Sequence, residues 1–341
     1  MTDVVTLRRV PMLEDEEWDR VVAAHPQTTI FHRSCWHRSL DAAGLGKVVR
    51  FEIERNGNVC GHWCGVLMTK FKAKVFGSPL PGTLTDYMYP LFVDPPAADR
   101  FLDGVIDWAK RERIAMVDVG GAYYPESTLA ERGFATYRTR SYRVDLSGGR
   151  SAVWKRLKPS MRDKIRKAEK HGVEIRVDTP QEYTARYWDM LTDVFHRKGL
   201  TPPKSPAFIE TVIGVLGKCD RVQTLMAWHA GQPVAANIVL MGDRDAYFWG
   251  TASYRSAYPV GANDLTTWHA LQLAASRGLA VFDTCGGGEY KEKFGGPLVH
   301  FPAGCRSLYP FFGVVRKAVK HGFLARQVVL GRLASLRKRF S

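Results

Sequence analysis

Apolar residues recur along the chain in two patterns, one typical of strands and one typical of helices. Residues 114–121 and 279–286 are each a short apolar run ending in glycine, and each follows a helix-like stretch, at 102–113 and 264–277. An apolar run that ends in glycine predicts a buried strand leading into a loop with unusual backbone angles. The pattern therefore predicts the order helix then strand, twice.

A second pair of similar segments lies upstream of these strands. Residues 55–68 and 229–241 each predict a β-hairpin, with turns at Asn56-Gly57 and at Ala230-Gly231. Hairpin, third strand, helix and strand thus occur twice in the same order. We interpret the chain as two copies of one α/β (α+β) unit, each a mixed sheet flanked by helices.

Comparison of the two copies separates scaffold from candidate chemistry. Asp118 and Asp283 occupy the same place in both copies, which favours a structural role for an aspartate there. The segment at 289–296, with the sequence EYKEKFGG, has no counterpart after Gly121. Because ligands usually bind at the ends of strands in layered α/β domains, this copy-specific segment is the better candidate for a site.

Length and composition are those of a soluble globular protein with two domains. The 341 residues are 45% hydrophobic and 24% charged. Cys60, His62 and Cys64 lack a second pair of ligands at zinc spacing, so no metal site is predicted. The sequence shows neither the apolar core of a signal peptide nor an apolar run of about 18 residues, which predicts a cytoplasmic protein.

The formal net charge of +15 is concentrated in two segments. Residues 146–175 carry 9 basic and 3 acidic side chains, and residues 311–341 carry 8 and 0. Such segments favour a polyanionic neighbour. With a boundary at the SGGR sequence, the predicted domains are 1–146, 147–310 and a basic amphipathic helix at 311–341.

The first basic segment predicts a helix that follows Pro159, with Ser160 as N-cap and Gly172 as its stop. Met161, Ile165 and Ala168 make its inward side. Its cations lie around several faces. A solvated surface and phosphate contact, the latter through Arg166, both stay open.

A second helix start is a candidate phosphate site. Gly261 comes just before the helix that begins near 264, with Asn263 or Asp264 placed to cap it. Backbone amides at a helix start, together with Arg255, would suit a phosphate or pyrophosphate group.

Acceptor contacts are predicted chiefly in the first copy. Residues 75–93 are too rich in proline and glycine for a regular element, and Asp86 and Tyr87 are their best polar candidates. Trp36 either lines a pocket or belongs to the core. Tyr254, beside Arg255, completes this set.

Together these segments resemble the FemAB-like branch of the GNAT acyltransferases, which includes the CelD-like acetyltransferase domains found near exopolysaccharide genes. The resemblance covers roughly residues 25–310, and its most specific part is an aromatic-Lys-x-x-Phe-Gly pattern at Tyr290, Lys291, Phe294 and Gly295. It implies tandem GNAT-like domains and transfer of an acyl or aminoacyl group to an amine. The lysine of the pattern lies at the reaction centre in that branch, which assigns that role to Lys291.

The resemblance leaves two donors open. The GNAT pyrophosphate motif is not intact, because Arg255 stands too far before Gly261. The coiled-coil arm of the tRNA-using Fem ligases is also missing, unless the short helix at 155–172 replaces it. We expect acyl-CoA as donor, with aminoacyl-tRNA as the alternative.

The expected site combines three groups of residues. Lys291 is the catalytic residue that stabilises the oxyanion, and His269 and Glu289 are candidate general bases. The donor-binding set is Arg255, Gly261, Asn263, Lys293 and Arg166, and the acceptor-binding set is Trp36, Asp86, Tyr87 and Tyr254.

Three functions follow as hypotheses. The first is an N-acyltransferase that acts on an amino group of a cell-envelope or exopolysaccharide precursor, and the second is a tRNA-dependent aminoacyltransferase of the peptidoglycan type. The third is a non-catalytic binder of nucleic acid or of a membrane surface. Residues 311–341 predict a helix on the inner face of an anionic membrane, with packing on the second domain or RNA binding as alternatives.

Overall fold

The computed structural model describes residues 3–10, 14–70, 72–176 and 178–309. The strands are β1 (Val5–Arg9), β2 (Lys47–Arg55), β3 (Asn58–Lys70), β4 (Ala73–Ser78), β5 (Leu91–Phe92), β6 (Ile114–Gly120), β7 (Ala135–Asp145), β8 (Glu174–Arg176), β9 (Val222–His229), β10 (Gln232–Met241), β11 (Asp245–Ser253), β12 (Val281–Asp283) and β13 (Leu298–Ser307).

The α-helices are α1 (Asp15–Ala23), α2 (Ser34–Ala42), α3 (Ala98–Arg111), α4 (Glu126–Glu131), α5 (Gly149–Arg156), α6 (Pro159–Lys170), α7 (Pro180–His196), α8 (Pro206–Gly217), α9 (Ala257–Val260), α10 (Ala262–Ser276) and α11 (Glu289–Glu292). A 3₁₀-helix covers Ile30–His32. Within the described parts of the chain, no helix is both long and apolar enough to cross a lipid bilayer.

The chain divides into two compact units. Among the described residues, unit 1 contains those up to Thr139 and those from His300 onwards, and unit 2 is Arg140–Val299. These limits differ from the boundaries expected at 146 and 310. The reason is strand pairing, because β13 pairs with β6 over residues 303–307 and so carries the end of the described chain into unit 1. The helix expected at 311–341 lies outside the described residues.

Unit 1 is a mixed sheet in the order β1-β2-β3-β4-β6-β13, with β5 paired to β3. Only the pair β4 and β6 is parallel among these described strands. Its core is aromatic, and Phe51, Trp63, Phe76, Phe101 and Trp108 are all buried. Residues 75–78, expected to belong to an irregular segment, are the end of β4, and all four are buried, which is typical of a central strand covered on both faces.

Unit 2 is a mixed sheet in the order β7-β12-β11-β10-β9-β8, in which β11 and β12 are parallel. Helix α10 packs against α5 and α6. As expected, Met161, Ile165 and Ala168 are the fully buried side of α6. Ser160 is not its N-cap, because Pro159 already has the helical φ and begins the helix one residue earlier.

Both expected hairpins are present, and their turns have the backbone angles that the sequence indicates. Asn56 and Gly57 have φ of +52° and +83°, and Ala230 and Gly231 have φ of +49° and +75°. Two successive positive φ angles match the right-handed twist of the paired strands. The turns thus fix the register of β2 with β3 and of β9 with β10.

Strands β11 and β12 of unit 2 pair over a short length. They pair only from Asp245 to Tyr247, opposite Val281 to Asp283, after which β12 ends while β11 continues to Ser253. The carboxyl end of β12 therefore leads into a loop beside the longer strand β11. In α/β sheets, ligands usually bind at such strand ends.

Burial of His32 in unit 1 makes stability depend on pH. Its Nδ1 accepts a hydrogen bond from the backbone N–H of Thr29 at 3.1 Å, and its Nε2 donates to the carbonyl oxygen of Tyr89 at 2.9 Å. Burial lowers the pKa of His32 from 6.5 to about 4. The unfolded chain therefore binds a proton at a higher pH than the folded chain does, and stability falls as pH drops below about 6.5.

We expect wild-type protein to lose roughly 2 kcal/mol more of its free energy of unfolding between pH 7.5 and pH 5.0 than the variant His32→Gln. The glutamine side chain does not titrate, which removes this contribution. Urea unfolding at both pH values measures the difference. Equal losses in the two proteins would contradict the assignment.

Candidate active site

The loop after β12 has a strained backbone held by buried hydrogen bonds. Cys285 and Gly286 have φ of +51° and +134°. The carboxylate of Asp283, which is fully buried, accepts hydrogen bonds from the backbone N–H of Cys285 at 2.8 Å and from the hydroxyl of Ser141 at 2.6 Å. Asp283 thus shapes the turn, in line with the scaffold role that the repeat indicates. Positive φ at a non-glycine residue is frequent at functional sites.

Lys291 extends from the short helix α11 back to this loop. Its Nζ donates hydrogen bonds to the carbonyl oxygens of Thr284 at 2.5 Å and Cys285 at 3.1 Å, and lies 5.9 Å from the ring centre of Phe248 on β11. The side chain is partly exposed. A cationic group is therefore positioned at the carboxyl end of β12.

The Phe-Gly-Gly segment after Lys291 attaches the loop to the body of unit 2. The ring of Phe294 is fully buried and lies 5.7 Å from that of Phe248. Gly295 has φ of +82°, and a Cβ there would lie 1.9 Å from the carbonyl oxygen of Arg156. A Cβ at Gly296 would lie 2.5 Å from the backbone of Arg143. Close packing accounts for the residue types at positions 294–296. It does not account for a lysine at position 291.

The start of α10 is closed by α6. Gly261 is the N-cap of α10 with φ of +70°, and a Cβ there would lie 2.4 Å from the carbonyl oxygen of Lys164. Asn263 and Asp264, which were expected to cap the helix, lie instead within its first turn. The cap falls earlier because only glycine combines this left-handed φ with such a close backbone contact.

Asp264 is a buried carboxyl group at this helix start. It is 4% exposed, and its Oδ1 has no hydrogen-bond partner among the described residues. Burial raises its pKa, while the nearby cations of Lys164 and Lys293 act in the opposite direction. The carboxyl group of Asp264 and the carbonyl oxygen of Lys164 thus lie at the start of α10, with the cations of Lys164 and Lys293 near them. The phosphate site expected at this helix start stays a prediction.

A buried polar chain connects α10 with α11. The hydroxyls of Thr267 and Tyr290 are 3.2 Å apart, and burial raises the pKa of Tyr290 well above 10. The hydroxyl of Thr251 on β11 donates to Oδ1 of Asn263 at 3.3 Å. Sequence reasoning missed Thr267 and Thr251, because an isolated threonine in an apolar element gives no chemical signal.

The profile of the acetyltransferase (GNAT) domain family matches residues 155–293, which include most of unit 2 and Lys291. The chain contains a GNAT acetyltransferase domain. The match confirms the expected superfamily and the enzyme class, a GNAT-type acyltransferase. No curated protein sequence matches the chain significantly.

Solved structures of low sequence identity share the fold. FemX superimposes with a TM-score of 0.66 at 12% identity, over 86% of this chain and 96% of that one. A tandem GNAT protein from the clavulanic acid biosynthesis pathway gives 0.51 at 11% identity, over 90% and 99%. A conserved protein of unknown function from Bacteroides thetaiotaomicron gives 0.56 at 9%, over 89% and 99%. The expected tandem GNAT-like fold is thus confirmed.

The GNAT domain brings some of the predicted donor residues together. Lys293 lies 5.5 Å from the ring centre of Tyr290 and, like Gly261 and Asn263, is near the start of α10. Arg166 lies on the exposed side of α6, where it pairs with Asp163 at 3.1 Å. Arg255 is exposed in the turn after β11. The donor roles of all five stay predictions.

The two candidate bases occupy different surroundings. Glu289 is exposed at the first position of α11, two residues before Lys291. His269 is on the exposed side of α10, in a surface pocket lined also by Arg150 and Gln272. Asp264 and Thr267 project from a different face of α10, because five residues along a helix turn the side chain by about 140°. Neither base role is tested by this geometry.

Most of the predicted acceptor residues belong to unit 1. Trp36 is fully buried, and its indole N–H donates to the hydroxyl of Thr85 at 3.1 Å. The ring of Tyr87 is also buried, 5.3 Å from that of Phe301. Trp36 therefore takes the core position that the sequence left open as its alternative, and Tyr87 is buried as well. Asp86 is half-buried, as is Tyr254 of unit 2, whose pKa is raised by burial.

Among the described residues, no group of three His, Cys, Asp or Glu side chains could hold a metal ion.

The contact at Gly261 predicts a specific loss of stability. We expect Gly261→Ala to lower the free energy of unfolding by more than Gly278→Ala, which should cost about 1–2 kcal/mol. Both glycines have a φ near +70°, but a Cβ at Gly278 would meet nothing within 4 Å. Urea unfolding of the two variants measures the difference, and equal losses would rule out the clash with Lys164. If a Gly261 variant bound its donor more weakly, the clash with Lys164 would itself account for the loss.

Proposed function

We propose that the protein transfers an acyl group, from acyl-CoA, to an amino group of a cell-envelope or exopolysaccharide precursor. The observation that carries the proposal is the position of Lys291, whose ammonium group is held at the end of β12, where the short pairing with β11 stops. The GNAT fold typically binds acyl-CoA, and the family profile covers this region.

In this reaction the neutral amine of the acceptor attacks the carbonyl carbon of the donor. A C–N bond forms, negative charge develops on the carbonyl oxygen, and the bond to the leaving group then breaks as the amine loses its proton. The ammonium group of Lys291 stabilises the oxyanion. Two backbone carbonyls hold that ammonium group in place, so little reorganisation is needed when the charge develops.

Aminoacyl-tRNA is the second candidate donor, and one observation favours it. In unit 2 the start of α10 carries a buried carboxyl group and packs on the carbonyl oxygen of Lys164. The carbonyl oxygen of Lys164 would be an unfavourable neighbour for a pyrophosphate group, whereas an aminoacyl ester needs no phosphate at this helix. The basic surface of α6 offers cations to either donor.

We also propose that the reaction takes place in the cytoplasm or at the inner face of the membrane, where an envelope precursor would be modified. The segment that we expect to contact that surface, residues 311–341, lies outside the described residues.

The role of Lys291 predicts a loss in turnover without a matching loss in stability. We expect Lys291→Met and Lys291→Ala to lower kcat at least about a hundredfold, since one oxyanion donor contributes 10²–10³ in rate. Lys155→Met, an exposed lysine of α5, should keep wild-type turnover. Steady-state kinetics and thermal unfolding measure both properties. Near-wild-type kcat in the Lys291 variants would refute the oxyanion role.

The donor is identified by direct comparison. We expect purified protein to transfer the acetyl group of radiolabelled acetyl-CoA to an amino-sugar acceptor, and to leave charged tRNA intact. Chromatography of the labelled products distinguishes the two. Transfer from charged tRNA alone would replace the first function by the second, and transfer from neither donor would support a non-catalytic binder.

A further inference from the structure

Arg140 of unit 2 is an exposed arginine whose position no other feature of the fold explains. Its side chain lies on the backbone of Gly287, where a Cβ would be 2.7 Å from Cγ, 2.8 Å from Cδ and 2.9 Å from Nε of Arg140. No described residue forms an ion pair or a hydrogen bond with its guanidinium group. The cation thus lies over the glycine loop with its charge uncompensated by a carboxylate.

Lys291 approaches the neighbouring residue of the same loop. Its Nζ lies 3.4 Å from where a Cβ of Gly286 would be. Because consecutive Cα atoms are about 3.8 Å apart, Nζ of Lys291 and Nε of Arg140 are separated by no more than about 13 Å. One small substrate can therefore contact both cations.

The topology of unit 2 places Arg140 and β11 on opposite sides of β12. Strand β11 lies on one side of β12, with Tyr247 opposite Asp283, and β7 lies on the other, with Arg143 opposite Asp283. Arg140 is three residues before Arg143 on β7. A donor bound on the β11 side of Lys291 would thus leave the β7 side for a molecule bound by Arg140.

We propose that Arg140 binds an anionic group, a phosphate or a carboxylate, of the acceptor whose amino group attacks at Lys291. The inference rests on the proposed acyl transfer to an amine, and it narrows the acceptor to amines that carry a negative charge within about 13 Å of the amino group. The guanidinium group suits this role, because its planar fork donates two parallel hydrogen bonds to either anion.

The glycine at 287 is part of the same arrangement. Its φ is not in the left-handed region, so an alanine would be tolerated by the backbone itself. A Cβ there would instead displace the Arg140 side chain from the loop. Gly287→Ala therefore moves the cation without removing it, which separates its position from its charge.

The test measures binding of three related amines by isothermal titration calorimetry, with full-length protein and without any donor. Glucosamine 1-phosphate carries a phosphate, glucosaminate carries a carboxylate, and glucosamine carries neither. We expect wild-type protein to bind at least one charged form about tenfold or more tightly than glucosamine. A difference of this size is what one charge-assisted hydrogen bond contributes. The phosphate and carboxylate arms identify which anion is preferred.

The variants assign this preference to Arg140. In Arg140→Ala and in Gly287→Ala the preference should fall to about twofold or less, and the double variant should resemble Arg140→Ala because both changes remove one contact. Arg244→Ala removes an exposed arginine just before β11, at the opposite end of the parallel strands, and should keep the wild-type preference. Thermal unfolding confirms that each variant is folded.

Two outcomes overturn the proposal: no preference for a charged form in wild-type protein, or an unchanged preference in Arg140→Ala. A double variant weaker than Arg140→Ala would mean that Gly287→Ala distorts the loop, and would refute the role of Gly287. Because no donor is present, these results are independent of turnover. Failure of acyl transfer with intact anion binding would reject the proposed function and keep the binding site.

Discussion

Close backbone packing at Gly295 and Gly296 is the constraint on which the candidate site depends. Any side chain at either position would overlap the backbone of Arg156 or Arg143. These contacts, with the buried ring of Phe294, attach the segment after β12 to α5 and β7. Lys291 lies three residues before Phe294, so its short reach to the carbonyls of Thr284 and Cys285 follows from that attachment. A mobile loop could not hold a cation at a developing oxyanion without an entropic cost.

A similar close backbone contact is found at the start of α10. Gly261 lets the carbonyl oxygen of Lys164 in α6 approach the start of α10 closely. The buried carboxyl group of Asp264 lies in the first turn of the same helix, the end where a helix favours acidic groups. A donor phosphate at this helix start would depend on side-chain cations such as Lys293.

Sequence predicted the parts of this fold that depend on local rules. Asn56-Gly57 and Ala230-Gly231 specify their turns by backbone angle alone, and the comparison of the two copies identified the Lys291 segment without any contact being known. The burial of Trp36 and Tyr87 could not be predicted, because an aromatic residue has the same local sequence pattern whether it lines a pocket or belongs to a core. Sequence analysis missed Arg140 for a related reason. The position of its cation depends on contact with Gly287, which is 147 positions away in the chain.

The two units differ in the residues that follow the corresponding strands β6 and β12. After β6 in unit 1 the chain enters Tyr123 and Tyr124, and the latter is fully buried in the core of that unit. The hydroxyl of Tyr123 donates to the carbonyl oxygen of Pro96 at 2.5 Å, which closes the end of the strand with a structural contact. After β12 in unit 2, three glycines and Lys291 stand at the corresponding place. Glycines add no side chain at the end of β12, whereas aromatic side chains pack at the end of β6, and this difference is consistent with the acyl-transfer site that we propose in unit 2.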